Sequence, residues 1–342
     1  MAELTPRERF GLLLIDELPD RVITYPLVTV HATQILGCTV AEYATDGVIL
    51  GKSQVAAWKL YKHDAISIFT GVGLIAEALG SKFQIRRDDI PILIEPVIKT
   101  EADYDKLKVP DLYRDGRLRV YTDAVDYCFE TVGDILPVIV YIPAPFTTAA
   151  QLRGISNFLK DTIRAPEKAH RLLEISYDSA LLLINACMEK GAFPMLVDPL
   201  ASCSVISPRI FEDFALPYLK KLIHFMHRYD LDTMLHICGE TELILKKIPD
   251  TNTDLFSLDK TDCVKAKNEI GDRIRIIGNI TPSDLLYSTP EQVSIMVQDT
   301  LLKMKDTPKG FVMATGCEVP VKAPIENIKA FIKTSHEYGN YW

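Results

Sequence analysis

Residues 232–239 read DTMLHICG, residues 254–261 DLFSLDKT and residues 274–281 IRIIGNIT. Each is a short, mostly apolar run with polar or turn-forming residues at its edges, the pattern of a strand buried on both faces. Longer amphipathic stretches separate them. Outward from this centre the same run recurs at Ile23–Val30, Ala65–Val72, Leu136–Phe146 and Phe193–Leu200, and once more at Gly310–Cys317. Helical patterns fill the intervals. Pro208–Tyr229 carries apolar residues on one face and Lys, Arg and His on the other, with Ser207 as its N-cap and proline at the first helical position. Pro290–Lys305, after Ser288 and Thr289, and Pro324–His336 repeat the signal. Eight buried strands alternating with helices predict an α/β fold of the (β/α)8 TIM-barrel type. A doubly wound sheet would want a Gly-rich turn after its first strand, and Val28-Thr29-Val30-His31 has none.

The chain has 342 residues, more than the ~250 of a plain barrel. The surplus falls in an N-terminal extension and in an insertion between strands two and three, roughly Lys82–Ile135, which reads as short extended pieces plus a helix. No linker, repeat or low-complexity tract divides the chain, so residues 1–342 are expected to form a single domain. Hydrophobic residues make up 48% of the sequence, enough for a sizeable core, and a net charge of −8 argues against nucleic acid as the partner. The start, MAELTPRERF, has no long apolar segment, and the richest run, Ala180–Cys187, lies between Asp178 and Glu189 and is too short for a membrane span. A cytoplasmic protein is expected. Seven cysteines, an odd and sparse set, suit a reducing compartment with thiols free to bind metal.

Strand five closes on Leu235-His236-Ile237-Cys238-Gly239. In extended chain the side-chain period is two, so His236 and Cys238 share a face. At the C-terminal end of a barrel strand that face looks into the mouth, where barrel active sites lie. Strand eight closes on Ala314-Thr315-Gly316-Cys317, which brings a second cysteine to the same rim. Two thiolates and an imidazole suit tetrahedral Zn2+ with a fourth position open, the arrangement of a catalytic site. Taken singly, a His-x-Cys or a lone cysteine is more often core than ligand; together, at one rim and each beside a glycine, the three point to a metal. Cys128 and Cys187 fall in helical patterns and read as core; Cys38, Cys203 and Cys263 read as packing.

His236-Ile-Cys238-Gly with Cys317 resembles the zinc motif of methylcobamide:coenzyme M methyltransferases, in the uroporphyrinogen decarboxylase-like superfamily. The framework agrees along most of the chain: Arg7-Glu-Arg9, Leu18-Pro-Asp20-Arg21, Asp64-Ala-Ile-Ser-Ile-Phe69, Glu77-Ala-Leu-Gly80, Ala144-Pro-Phe-Thr147, Asp198-Pro-Leu-Ala-Ser202, Gly278-Asn-Ile-Thr-Pro282 and Ile325-Glu-Asn-Ile-Lys-Ala330. The decarboxylases of the superfamily carry an arginine-bearing segment after strand one and an aspartate after the strand-two Phe-Ser pair. Here those places read Thr29-Val-His31-Ala-Thr-Gln34 and Phe69-Thr70-Gly71. The resemblance therefore implies methyl transfer in preference to decarboxylation.

It further implies a Zn2+-held thiol that takes the methyl group of a methyl-Co(III) corrinoid (the methylcobalamin form), releasing Co(I). Coenzyme M is the acceptor best known in the family, with homocysteine or tetrahydrofolate as alternatives. No Asp-x-His-x-x-Gly cobalamin motif occurs in the chain, so the corrinoid is expected on a separate protein. By the same resemblance Asp259, at the end of strand six, stands where related methyltransferases can present a carboxylate to the vacant zinc position, against the plainer reading of a rim acid or helix cap. Asp198 and Asn279, at the ends of strands four and seven, are candidates to order substrate or water. His31, Glu77, Tyr141 and Ser202 are candidates to line the corrinoid, each with a structural role as the alternative. Two other classes stay open: a zinc-free porphyrinogen decarboxylase, and a non-enzymatic partner whose zinc staples the barrel.

Overall fold

The computed structural model describes residues 4–341. Eight strands build the central sheet: β1 Ile23–Tyr25, β2 Ile66–Ile68, β3 Val138–Pro143, β4 Phe193–Val197, β5 Met234–His236, β6 Leu255–Ser257, β7 Arg275–Ile280 and β8 Phe311–Thr315. Their order is β1-β8-β7-β6-β5-β4-β3-β2, every pairing parallel. That is the order of a (β/α)8 barrel, with β1 and β2 facing each other at the seam. The seam carries a backbone hydrogen bond, Asp64 N–H to the Thr24 carbonyl at 2.8 Å. Inside the barrel the Tyr25 hydroxyl of β1 meets Ser67 Oγ of β2 at 2.9 Å and the Tyr141 hydroxyl of β3 at 2.8 Å. Three strands are thus tied across the interior where the ladder is interrupted.

The strands are shorter than the apolar runs that announced them. β5 pairs over three residues and β1 over three, yet Ile237, Leu27, Val28 and Val30 beyond them are as buried as the strands. Burial sustains an apolar run after pairing has stopped, so the run marks the strand and its inward-folded exit together. Cys238, Cys317, Asp198 and Asp259 therefore stand on turns past the ladder, while His236, Tyr141 and Asn279 lie on it.

Two helical expectations change in detail. Residues 208–227 do not form one regular helix: Pro208–Ile210 is followed by a wider π turn, Phe211–Ala215, and then by Leu216–His227. Pro217 lacks the N–H that would bond back to Asp213, and its ring crowds that carbonyl, so the chain widens there. The insertion holds a hairpin, Lys82–Gln84 with Ile92–Glu95, and a short 3-10 turn, Glu101–Lys106. The helix within it, Leu118–Val132, packs against Gly47–Tyr61 in the outer ring and so is the barrel's own helix after β2. The N-terminal extension contributes the helix Pro6–Leu14, started by a Thr5/Glu8 capping box. No described helix is long and apolar enough to cross a membrane.

Candidate metal centre

β5 ends at His236 and the chain turns inward through buried Ile237 to Cys238. β8 ends at Thr315, whose hydroxyl donates to the Cys317 carbonyl at 2.7 Å and holds the turn that presents that thiol. The two turns meet. His236 Nε2 lies 3.0 Å from Cys238 Sγ, which lies 3.1 Å from Cys317 Sγ. Among the described residues these three are the group whose ligand atoms converge, all within 4.8 Å of one another.

Two glycines permit the approach. Gly239 has φ +75°, a left-handed conformation that L side chains resist, and a Cβ there would meet Ser204 Oγ at 2.6 Å. A Cβ on Gly316 would stand 3.1 Å from Asp259 Oδ1. The imidazole is oriented from behind: its Nδ1 is 3.0 Å from Ser257 Oγ at the end of β6, leaving Nε2 toward the sulfurs.

The electrostatics follow from three donor groups packed together. The hydrogen bond between the two sulfurs pulls the Cys317 thiol well below the usual thiol range, helped by His236, while the same bond and burial push Cys238 up. The pair thus holds one proton less readily at Cys317. Two soft sulfurs and one imidazole nitrogen in this arrangement fit Zn2+, with room in the coordination sphere for a further ligand.

Asp259 stands beside the three without joining them. Its Oδ2 accepts the Gly239 N–H at 2.7 Å, and burial raises its pKa, offset in part by that hydrogen bond. Asn279 braces this carboxylate's segment: its Nδ2 donates to the Asp259 and Thr261 carbonyls, both at 2.8 Å, and its Oδ1 accepts the Cys263 thiol at 2.7 Å. Asp198 is fully buried past β4 and accepts from the Thr147 N–H at 2.8 Å and hydroxyl at 2.6 Å. Burial pushes it up to about 7 against those bonds. Its other oxygen, Oδ2, has no hydrogen-bond partner among the described residues.

The remaining candidates are spread around the mouth with partners of their own. His31 is fully buried, with Nε2 2.8 Å from the Tyr61 hydroxyl and Nδ1 3.1 Å from the Pro320 carbonyl. Glu77 is ion-paired with Arg117 at 2.7 Å. Ser202 Oγ donates to the Glu240 carbonyl. Tyr141 spends its hydroxyl on Tyr25 and Ser67 and offers only its ring to the space above. That space is a cavity of about 40 Å3, walled by Leu27, Phe69, Val72, Tyr141, Val197 and Pro199 and floored by the three ligand candidates.

One more residue reaches this cavity that sequence reasoning passed over: Glu318. Its Oε1 accepts the Thr29 hydroxyl at 2.6 Å, and burial, together with the neighbouring Cys317 sulfur, pushes it up to about 7. Nothing in the sequence marks it out, since an acidic residue at a strand exit ordinarily reads as solvated. A larger groove of about 740 Å3 opens on the other side of Cys317, between Asp259–Val264, the segment after β7 and the helix Pro290–Met304.

Residues 5–338 match the family model described as uroporphyrinogen decarboxylase (URO-D). The chain belongs to this family. Within it, similarity runs over the whole length to a methylcobamide:CoM methyltransferase, MtaA, of Methanosarcina barkeri: 28% identity, covering 99% of each chain. A methylated-thiol–coenzyme M methyltransferase of Methanosarcina mazei is 27% identical over 98% of this chain and 90% of its own. A uroporphyrinogen decarboxylase of Pseudoalteromonas atlantica is 28% identical but over 81% and 79%. A solved methyltransferase from Methanosarcina mazei superposes with a TM-score of 0.89 at 26% identity, covering 98% and 99%. The resemblance read from the sequence, to the methyltransferases of a decarboxylase-like family on a TIM-type barrel, therefore holds.

Proposed function

We propose that this URO-D-family barrel acts as one catalytic domain that moves a methyl group from a methyl-Co(III) corrinoid, carried on a separate protein, to a small thiol. The observation that carries the reading is the convergence of His236, Cys238 and Cys317 at the mouth, open to an apolar cavity. Full-length similarity to corrinoid:coenzyme M methyltransferases supports it. Seven free cysteines suit the cytoplasm.

A Zn2+ bound by these three residues would supply the Lewis acidity that keeps an acceptor thiol ionised at neutral pH. The chain's own residues do the rest. Ser257 fixes the imidazole so that Nε2 faces the sulfurs. Asp259, whose Oδ2 is held by the Gly239 N–H beside Cys238, would be the further side chain available to hold that ion. Asn279 holds the Asp259 segment, and Asp198 orders the β4 exit through Thr147. Phe69, Tyr141 and Leu27 exclude water from the space where sulfur and methyl carbon meet. In the reaction the acceptor's sulfur forms the new S–CH3 bond, and the electron pair of the broken Co–C bond stays on cobalt as Co(I). The thiol proton leaves to solvent.

Metal analysis of the purified protein, coupled to methylcobalamin demethylation with coenzyme M, homocysteine and tetrahydrofolate, tests the proposal. Stoichiometric zinc with thiol-dependent loss of the methyl group is expected. A protein that holds no zinc, or whose Cys317→Ala variant demethylates as fast as the parent, overturns it. Demethylation by tetrahydrofolate alone moves the acceptor from sulfur to nitrogen, and carbon dioxide release from a porphyrinogen returns the chain to the decarboxylases.

A further inference from the structure

Among the described residues Cys317 is the one that lines both spaces beside the candidate metal centre. On one side lies the apolar cavity of about 40 Å3, far below the roughly 300–1,000 Å3 in which small molecules are usually held. On the other lies the groove of about 740 Å3, within that range. Asp259 and Asn279 line the groove together with Cys317, so it ends on the residues of the centre. That end is braced, since Asn279 holds the Asp259 and Thr261 carbonyls and takes the Cys263 thiol. Thr300, on the helix Pro290–Met304, and Ser283, on the short helix Pro282–Tyr287, stand in its walls. The lining is hydrophilic and carries both signs: Asp259, Asp262 and Asp299 with Lys260 and Lys303. Lys303 is paired with Asp299, and Asp262 caps a helix through the Lys265 N–H.

We propose that this groove is the acceptor's port. A small hydrophilic thiol enters between the β6 and β7 exits, its sulfur reaching the centre past Cys317 and its polar tail lying along the groove. The methyl donor comes from the apolar cavity on the other side. This rests on the reading of the site as a thiol methyltransferase and deepens it by giving the two reactants separate approaches. In a displacement at carbon the entering sulfur and the leaving cobalt stand on opposite sides of the methyl group. The sulfur gains the methyl carbon, cobalt keeps the electron pair and the thiol proton goes to solvent. A broad corrin ring facing the cavity covers that opening, so the acceptor's tail needs another way out, and the groove supplies one beside Cys317. The cavity offers Leu27, Phe69, Val72, Val197 and Pro199, with Glu318 already bonded to Thr29, surroundings that suit a methyl group better than a polar tail. Because both signs of charge line the groove, the length and hydrophilicity of the tail decide the fit.

The test is calorimetric titration of the zinc-loaded protein with 2-mercaptoethanol, homocysteine and glutathione, alongside kcat and KM for methylcobalamin demethylation by each. Thr300→Trp and Ser283→Trp fill the groove from two walls; Ser283 is exposed and Thr300 half-buried, and either serves if the other does not fold. Glutathione is expected to bind these variants about tenfold more weakly than the parent, while 2-mercaptoethanol, too short to reach them, stays within about twofold and homocysteine falls between. Zinc content and KM for methylcobalamin should stay as in the parent. Val72→Trp, in the cavity wall, should do the reverse, raising KM for methylcobalamin about tenfold and leaving thiol binding unchanged. Thiol affinities indifferent to both groove variants, or a loss of thiol affinity in Val72→Trp, put the acceptor in the cavity and overturn the proposal while leaving thiol methylation intact. A parent that binds 2-mercaptoethanol and excludes glutathione overturns it too. If no thiol binds the zinc-loaded protein and none demethylates methylcobalamin, the functional reading falls and this inference with it.

Discussion

The two ends of the barrel hold clusters of similar chemistry and opposite bookkeeping. At the N-terminal end, Asp64 is fully buried before β2 and receives Arg9 at 2.9 Å, Arg21 at 2.7 Å and the Thr24 N–H at 2.7 Å. Arg9 in turn pairs with Asp20 at 2.6 Å. Every charge there is answered, and the cluster pins the N-terminal extension to the seam between β1 and β2. At the C-terminal end three metal-donor side chains bond to one another. His236, Cys238 and Cys317 crowd within 4.8 Å, and beside them Glu318 accepts the Thr29 hydroxyl and makes no ion pair among the described residues. A polar cluster that satisfies itself is a clamp; one that leaves capacity unused is built for something that arrives.

That contrast can be broken at either end. The largest effect is expected from Asp64→Asn, which removes the buried carboxylate shared by Arg9 and Arg21: a loss of about 3–5 kcal/mol in unfolding free energy, read from denaturant midpoints. The folded fraction should keep its metal. Next, Cys317→Ala should abolish stoichiometric zinc and cut methylcobalamin demethylation about a thousandfold, since a metal's charge stabilisation is worth several kcal/mol. Its denaturant midpoint should move far less than that of Asp64→Asn. A variant that unfolds instead would make the upper cluster a clamp as well.

A third effect is a pH dependence at the lower end. His63 is fully buried beside Asp64, neither ring nitrogen has a hydrogen-bond partner among the described residues, and burial lowers it to about 4, opposed by Asp64. Above the ordinary imidazole value of 6.5 it is neutral in both states and contributes no pH slope. Between about 6.5 and 4 the unfolded chain binds the proton and the folded chain does not, so stability falls as pH falls through that window and levels below it. His63→Leu should remove up to about 3 kcal/mol of this acid sensitivity, seen by comparing melting temperatures at neutral and mildly acid pH. The smallest effect tests orientation at the upper end. Ser257→Ala removes the partner of His236 Nδ1 and should weaken zinc affinity about tenfold, measured by chelator competition, with little change in stability.

Much of the upper cluster was legible in the chain. His236 and Cys238 share a face by strand periodicity, and the alternation of runs carried Cys317 to the same rim although its partner lies far off in sequence. Glu318 was not legible. An acidic residue after a cysteine normally reads as solvated, and only the Thr29 hydroxyl, brought over by the pairing of β1 with β8, turns it inward. His31 and Glu77 differ in the opposite direction. Both look unattached in sequence, yet the fold supplies Tyr61 and Pro320 to the first and Arg117 to the second.

The sequence by itself determined the barrel, the family resemblance and the set of candidate metal donors, because burial on two faces and a side-chain period of two are local properties that any stretch of chain displays. Only the tertiary structure decided which polar groups are spent and which are left over. Satisfaction of a hydrogen bond or a charge depends on partners from distant strands, and the closure of the sheet, with β8 returning beside β1, is what puts them within reach.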